Sequence, residues 1–199
     1  KLEYSCEPKI DGVAVSLIYK KGKFIKAGTR GDGEQGEDIT HNVKTIKQIP
    51  LTLKGTNHPN EIEIRGEIFC EKKAFDKFNN DYSKSDQKTF ANPRNFVAGS
   101  IRQLNPEIAA ARPLKIQLHS LGYVDKNNLF KSHQEMLNIF LSWNLPINPD
   151  IKLVDSIEDV LSYCEKLTKK REALNYEIDG VVIKAVSYTH LRAHETTRH

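Results

Sequence analysis

Three charged side chains occupy alternate positions in the hexapeptide Glu7-Pro8-Lys9-Ile10-Asp11-Gly12. An extended backbone carries Glu7, Lys9 and Asp11 to one side, and Gly12 after them permits a turn or close approach to a ligand. A lysine between carboxylates is either a solvated ion pair or a nucleophile steered by its neighbours, and this motif alone allows both. Thr29-Arg30-Gly31-Asp32-Gly33, then Gly36-Glu37-Asp38, make a glycine-rich polar loop directly after a strand-like run. Glycines let backbone N–H groups reach a phosphate, and arginine pairs with anions through two hydrogen bonds; a plain surface loop has the same composition. The spacing fits neither a Walker P-loop nor a dinucleotide fingerprint.

Glu67 stands beside Gly66 on the polar side of a strand. Its carboxylate would meet a ribose or a hydrated metal ion there, or else pair with Arg65 or Lys72. Phe90 to Leu104, FANPRNFVAGSIRQL, carries Arg94 and Arg102, and its second half reads as a small-residue helix. Both guanidiniums suit a phosphate, a DNA backbone or plain solvent. Lys184 follows Val181, Val182 and Ile183, and a lysine at a buried site requires an anionic partner.

The elements that must position these groups are legible from periodicity. Val13 to Thr29 reads as two strands around a Lys-Gly turn. Glu61 to Phe69 alternates, with Ile62, Ile64 and Ile68 on a core face and Glu63, Arg65 and Glu67 on a charged one. Ser132 and Glu135 open a helix as a capping box, with Met136, Leu137, Phe140 and Trp143 as its core stripe. Ser156 to Leu174 predicts a second helix, with Val160, Leu161, Cys164 and Leu167 inward and Lys169, Lys170 and Arg171 at its end, where cations suit the dipole. Tyr176 to Val186 is a β-branched strand. Antiparallel strands and helices without βαβ alternation make the fold class α+β. Residues 187–199, SYTHLRAHETTRH, shift to a polar, His-rich composition and read as a tail from a cloning vector or sequencing adapter, outside a single domain at 1–186.

The chain has 199 residues, 38% of them hydrophobic, enough for an ordinary core. A net charge of +4 is compatible with nucleic-acid contact without being diagnostic of it. Cys6, Cys70 and Cys164 encode neither a disulfide framework nor a zinc site. No apolar run approaches a membrane span and no signal peptide is recognised, so a cytoplasmic protein with no membrane partner is expected.

Taken together, these motifs resemble a known family. EPKIDG at 7–12 resembles the adenylation motif of the covalent nucleotidyltransferases, which include DNA ligases, RNA ligases and mRNA capping enzymes. TRGDG with GEDIT at 29–40, NVKTIKQIPL, IRGEIF, FANPRN with AGSIRQL, RPL at 112–114 and YEIDGVVIK, in this order, narrow the resemblance to the bacterial NAD-dependent DNA ligases over residues 1–186. It implies two packed antiparallel sheets with flanking helices, a nucleotidyltransferase domain similar to ATP-grasp folds, with the nucleotide between the sheets.

By the same resemblance, Lys9 attacks the α-phosphorus of NAD, expels nicotinamide mononucleotide and holds AMP, which passes to the 5′-phosphate of nicked double-stranded DNA before the 3′-hydroxyl seals the strand. Asp11, Arg94, Arg102 and Asp179 join Lys9 as catalytic residues. Glu7 and Lys184 lie near adenine, Arg30 and Glu67 near the ribose, and Arg171 supports the cofactor site. No residue binds metal directly; Asp11 and Glu67 act on Mg²⁺ through water.

The family's module for nicotinamide mononucleotide would precede Lys1. A last lysine motif, an OB-fold, a cysteine zinc finger and helix-hairpin-helix and BRCT regions would follow residue 186, and zinc is expected only there. None of these is recognised here, so a monomeric fragment that binds adenylate, reacts poorly with NAD and does not seal nicks unaided is expected. The alternatives are an ATP-dependent DNA or RNA ligase, which TRGDG, GEDIT and FANPRN argue against, and a non-catalytic nucleic-acid-binding fragment, which would form no covalent adduct.

Overall fold

A computed structural model describes residues 3–31, 36–84, 89–125 and 129–186. Asp32, Gly33 and the segment 187–199 lie outside the described residues.

β1 (Tyr4–Ile10), β2 (Val13–Lys20) and β3 (Lys23–Thr29) come first. Lys21 and Gly22, at φ 48° and 74°, supply the two positive-φ positions of the tight turn between β2 and β3. β2 pairs on its other side with β4 (Glu61–Cys70), which pairs with β5 (Leu114–Val124), so an antiparallel sheet runs β3-β2-β4-β5. Ile62, Ile64 and Ile68 are buried on β4 as their alternation predicts. A second antiparallel sheet runs β6 (Lys152–Val154), β1, β7 (Ile178–Ala185).

The chain therefore changes sheets between β1 and β2. Gly12 sits at that crossing, where a Cβ would collide with the backbone carbonyl of Ile68 on β4. Only glycine lets the two strands approach this closely.

Helices α1 (Thr40–Val43), α2 (Lys72–Lys84), α3 (Pro93–Ile101), α4 (Pro106–Ala110), α5 (His133–Ser142) and α6 (Ile157–Lys170) join the strands, and a 3₁₀ turn at Arg171–Ala173 ends α6. α3 begins on Asn92, whose side chain accepts from the Asn95 N–H, with Pro93 at its first position. α5 begins on Ser132, whose hydroxyl accepts from the Glu135 N–H at 3.1 Å. The Glu135 carboxylate accepts from the Lys131 N–H at 2.7 Å instead of closing the capping box on Ser132. Met136, Leu137, Phe140 and Trp143 are buried as expected.

In α6, Leu161 does not face inward: it is 59% exposed, while Tyr163 is buried with Val160 and Leu167. Spacings of three and four keep 160, 163 and 167 on one face, and 161 turns about 100° away from 160. Tyr163 can be buried because its hydroxyl donates to the Asp150 carbonyl at 2.9 Å. The larger core gathers β2, β4, β5, α3 and α5, and a smaller one joins Cys6, Val160, Tyr163, Leu167 and Ile178. Among the described residues no helix is long and apolar enough to cross a membrane.

Candidate active site

A cavity of about 550 Å³ opens between the two sheets. β1 and β7 line one side with Glu7, Lys9, Asp179 and Lys184, Asp11 follows just past β1, and β4 and β5 bring Glu67, Gln117 and His119. Arg30, just past β3, and Arg94 on α3 reach it as well. An adjoining groove of about 620 Å³ shares Arg30 and Arg94 and adds Thr29, Glu37 and Arg102.

Lys9 lies opposite Gly180 in the β1–β7 ladder, next to a register shift at Lys9/Ile10. Its ammonium is half exposed and pairs with Asp179 Oδ2 at 2.7 Å. Asp11 is held by its own N–H, which donates to the Glu177 carbonyl at 2.9 Å. Its Oδ1 accepts from Arg94 Nη1 at 3.1 Å. The lysine thus stands between an anion on β7 and an arginine–aspartate pair that links the crossing after β1 to α3.

Glu7 is 3% exposed. Its Oε1 accepts from Ser5 Oγ at 3.1 Å and His133 Nε2 at 2.6 Å, and its Oε2 accepts from Lys184 Nζ at 2.7 Å. Burial pushes the Glu7 carboxyl up, but the His133 hydrogen bond and the Lys184 ammonium outweigh it and hold the group below its ordinary value. Lys184 finds the anionic partner its sequence position demands and donates a second bond to the His119 carbonyl at 2.9 Å. Burial, then the nearby Lys184 charge, lowers His119 to about 4, so its ring is neutral at physiological pH.

Glu67 pairs with neither Arg65 nor Lys72. Arg65 contacts Glu63 at 3.0 Å and Lys72 contacts Glu177 at 3.6 Å. Burial raises Glu67 to about 7, against the pull of Arg94, the Gly12 N–H and Lys9. Opposite it in the β4–β5 ladder is Gln117, whose Oε1 is buried without a hydrogen-bond partner.

Nine of the ten candidate residues meet at the cavity and its adjoining groove. Arg102 belongs to the groove, where its Nε contacts Glu37 Oε2 at 2.5 Å. Arg171 does not join them: it lies in the 3₁₀ turn after α6, where its carbonyl accepts from Lys72 Nζ at 3.2 Å. Sequence reasoning missed Gln117 and His119, although LKIQLH alternates buried Leu114, Ile116 and Leu118 with a polar face that holds both. It also missed Ser5 and His133; no local signal marks His133, which meets Glu7 across 126 positions of chain.

A cavity between two antiparallel sheets, with a lysine at its wall, is the arrangement of a nucleotidyltransferase domain. The fold is similar to that of a solved structure described as mycobacterial DNA ligase D complexed with ATP and MES, at 13% identity and TM-score 0.54, over 93% of this chain and 49% of that one. The family model for the NAD-dependent DNA ligase adenylation domain matches residues 1–195, and the chain belongs to that family. The match runs past residue 186, into the segment set apart on composition. DNA ligases of Coxiella burnetii, strains Dugway 5J108-111 and RSA 493, are each 47% identical to it over 185 residues, 93% of this chain. The chain spans 28% of the length of these relatives.

Proposed function

We propose that this chain accepts AMP from NAD onto Lys9 as the first step of DNA nick sealing. The observation that carries this reading is the convergence, in one cavity, of the Lys9 amine with the pair formed by buried Glu7 and half-buried Lys184. The ionised Glu7 is an acceptor and Lys184 beside it a donor. Adenine offers the matching edge, a donating 6-amino group next to the accepting N1, whereas a 6-oxo purine presents the reverse order.

In the reaction, the neutral Lys9 Nζ forms a bond to the α-phosphorus as the bond to nicotinamide mononucleotide breaks. Asp179, 2.7 Å from Nζ, is placed to receive the proton the amine gives up. Arg30 and Arg94, which line both cavity and groove, suit the phosphate charge. The 5′-phosphate of a nick would then displace Lys9 from AMP, and the 3′-hydroxyl would displace AMP in turn.

Among the described residues no three His, Cys, Asp or Glu side chains gather as a metal site. Glu67 nevertheless fits a hydrated cation, since a carboxyl held near neutrality by burial gains a partner for its ionised form. Mg²⁺ bound there through water would neutralise phosphate charge. Asp11 and Glu67 would hold it through that water shell.

Two labelled forms of NAD test the reading. With Mg²⁺, label from the adenylate half should remain on the denatured protein and label from the nicotinamide half should be released. Retention of the nicotinamide half, or of neither half while ATP labels the protein, would sink it.

A further inference from the structure

Glu7 carries a hydrogen bond that base recognition alone does not call for. His133 Nε2 lies 2.6 Å from Oε1, in a contact where both side chains are only 4% exposed. An ionised carboxylate only accepts, so Nε2 is the donor. His133 is not among the residues lining the cavity and approaches Glu7 from the protein side. It opens α5, and its backbone N–H donates to the Val186 carbonyl at 2.9 Å, while the Val186 N–H donates to the Glu3 carbonyl at 3.0 Å. The start of α5 is thereby tied to the residues flanking β1 and β7, the strands that carry Glu7 and Lys184.

These contacts divide the carboxylate. Oε1 is taken up inside the protein by Ser5 and His133, and Oε2 stays beside Lys184. We propose that His133 is a positioning residue that sets the choice of nucleobase. It holds Glu7 as a fixed acceptor, so that the Glu7–Lys184 edge takes a 6-amino purine and rejects a 6-oxo purine. This inference rests on the adenylate reading above. Without the His133 donor, the carboxyl is free to turn or to take a proton and donate, and a 6-oxo group then finds a partner.

The test is calorimetric titration of AMP and of inosine monophosphate into the chain, unaltered and as His133→Phe, His133→Gln and Ser5→Ala, with thermal unfolding of each. Phenylalanine keeps a ring and removes the donor; glutamine returns an N–H at similar reach. The preference for AMP should fall about tenfold in His133→Phe and about twofold in Ser5→Ala, the sizes expected for losing a strong and a weak bond to a charged acceptor. His133→Gln should keep most of the preference. If His133→Phe does not fold, Ser5→Ala reads the same oxygen. An unchanged preference in the folded variants, or an equal loss of affinity for both nucleotides, overturns the role of His133 and leaves the adenylate reading standing. An unaltered chain that binds neither nucleotide removes that reading and this inference with it.

Discussion

Two carboxylates, the buried Glu7 and the half-buried Glu67, face one cavity and are tuned in opposite directions. Glu7 is held low because its donors outweigh its burial, and Glu67 is raised to about 7 because they do not. Glu67's folded value exceeds its ordinary 4.5, so the protonated form is the one the folded state favours. The resulting stabilisation is complete below about pH 4.5 and is lost as pH rises through about 7. Thermal midpoints measured from pH 5 to pH 8 should therefore fall more in the unaltered protein than in Glu67→Gln, which has no proton to lose. Equal slopes would contradict the assignment. Lys184→Met leaves the Glu7 carboxylate short of a donor and should cost about 3 kcal/mol in urea unfolding.

At the scale of elements, the site depends on where β1 leaves one sheet and β2 joins the other. Gly12→Ala places a methyl group against the Ile68 carbonyl and should destabilise the fold by about 2 kcal/mol in thermal unfolding. Much of this level was legible in the sequence, because local periodicity reports burial. The β2–β3 hairpin, the β4 alternation and the α5 stripe all stand where spacing put them. Leu161 was misread because a run of apolar residues in a helix does not say where the buried face ends, and the hydroxyl of Tyr163 finds its partner at Asp150, outside the helix. The charged candidates were recognised by type and order. The Glu7–His133 bond and the orphaned Gln117 oxygen arise from packing between distant strands and helices, which no short motif encodes.

At the scale of the whole molecule, cavity and groove divide the arginines. Arg94 lines both and holds Asp11, whereas Arg102 lines only the groove and pairs with Glu37. Arg102→Ala should leave AMP affinity nearly unchanged while lowering the salt slope of DNA binding by about one. Arg94→Ala should weaken AMP binding itself. Equal effects of the two on AMP would contradict the division.

In the proposed reaction Lys9 is the residue that takes up AMP. Intact mass of the purified chain after incubation with NAD and Mg²⁺, beside Lys9→Ala and beside ATP in place of NAD, tests it most directly. One adenylate added from NAD, on a small fraction of the chains because the fragment reacts poorly with NAD, and none on Lys9→Ala, is the expected result. An adduct that survives the loss of Lys9, or that forms from ATP and never from NAD, would contradict it.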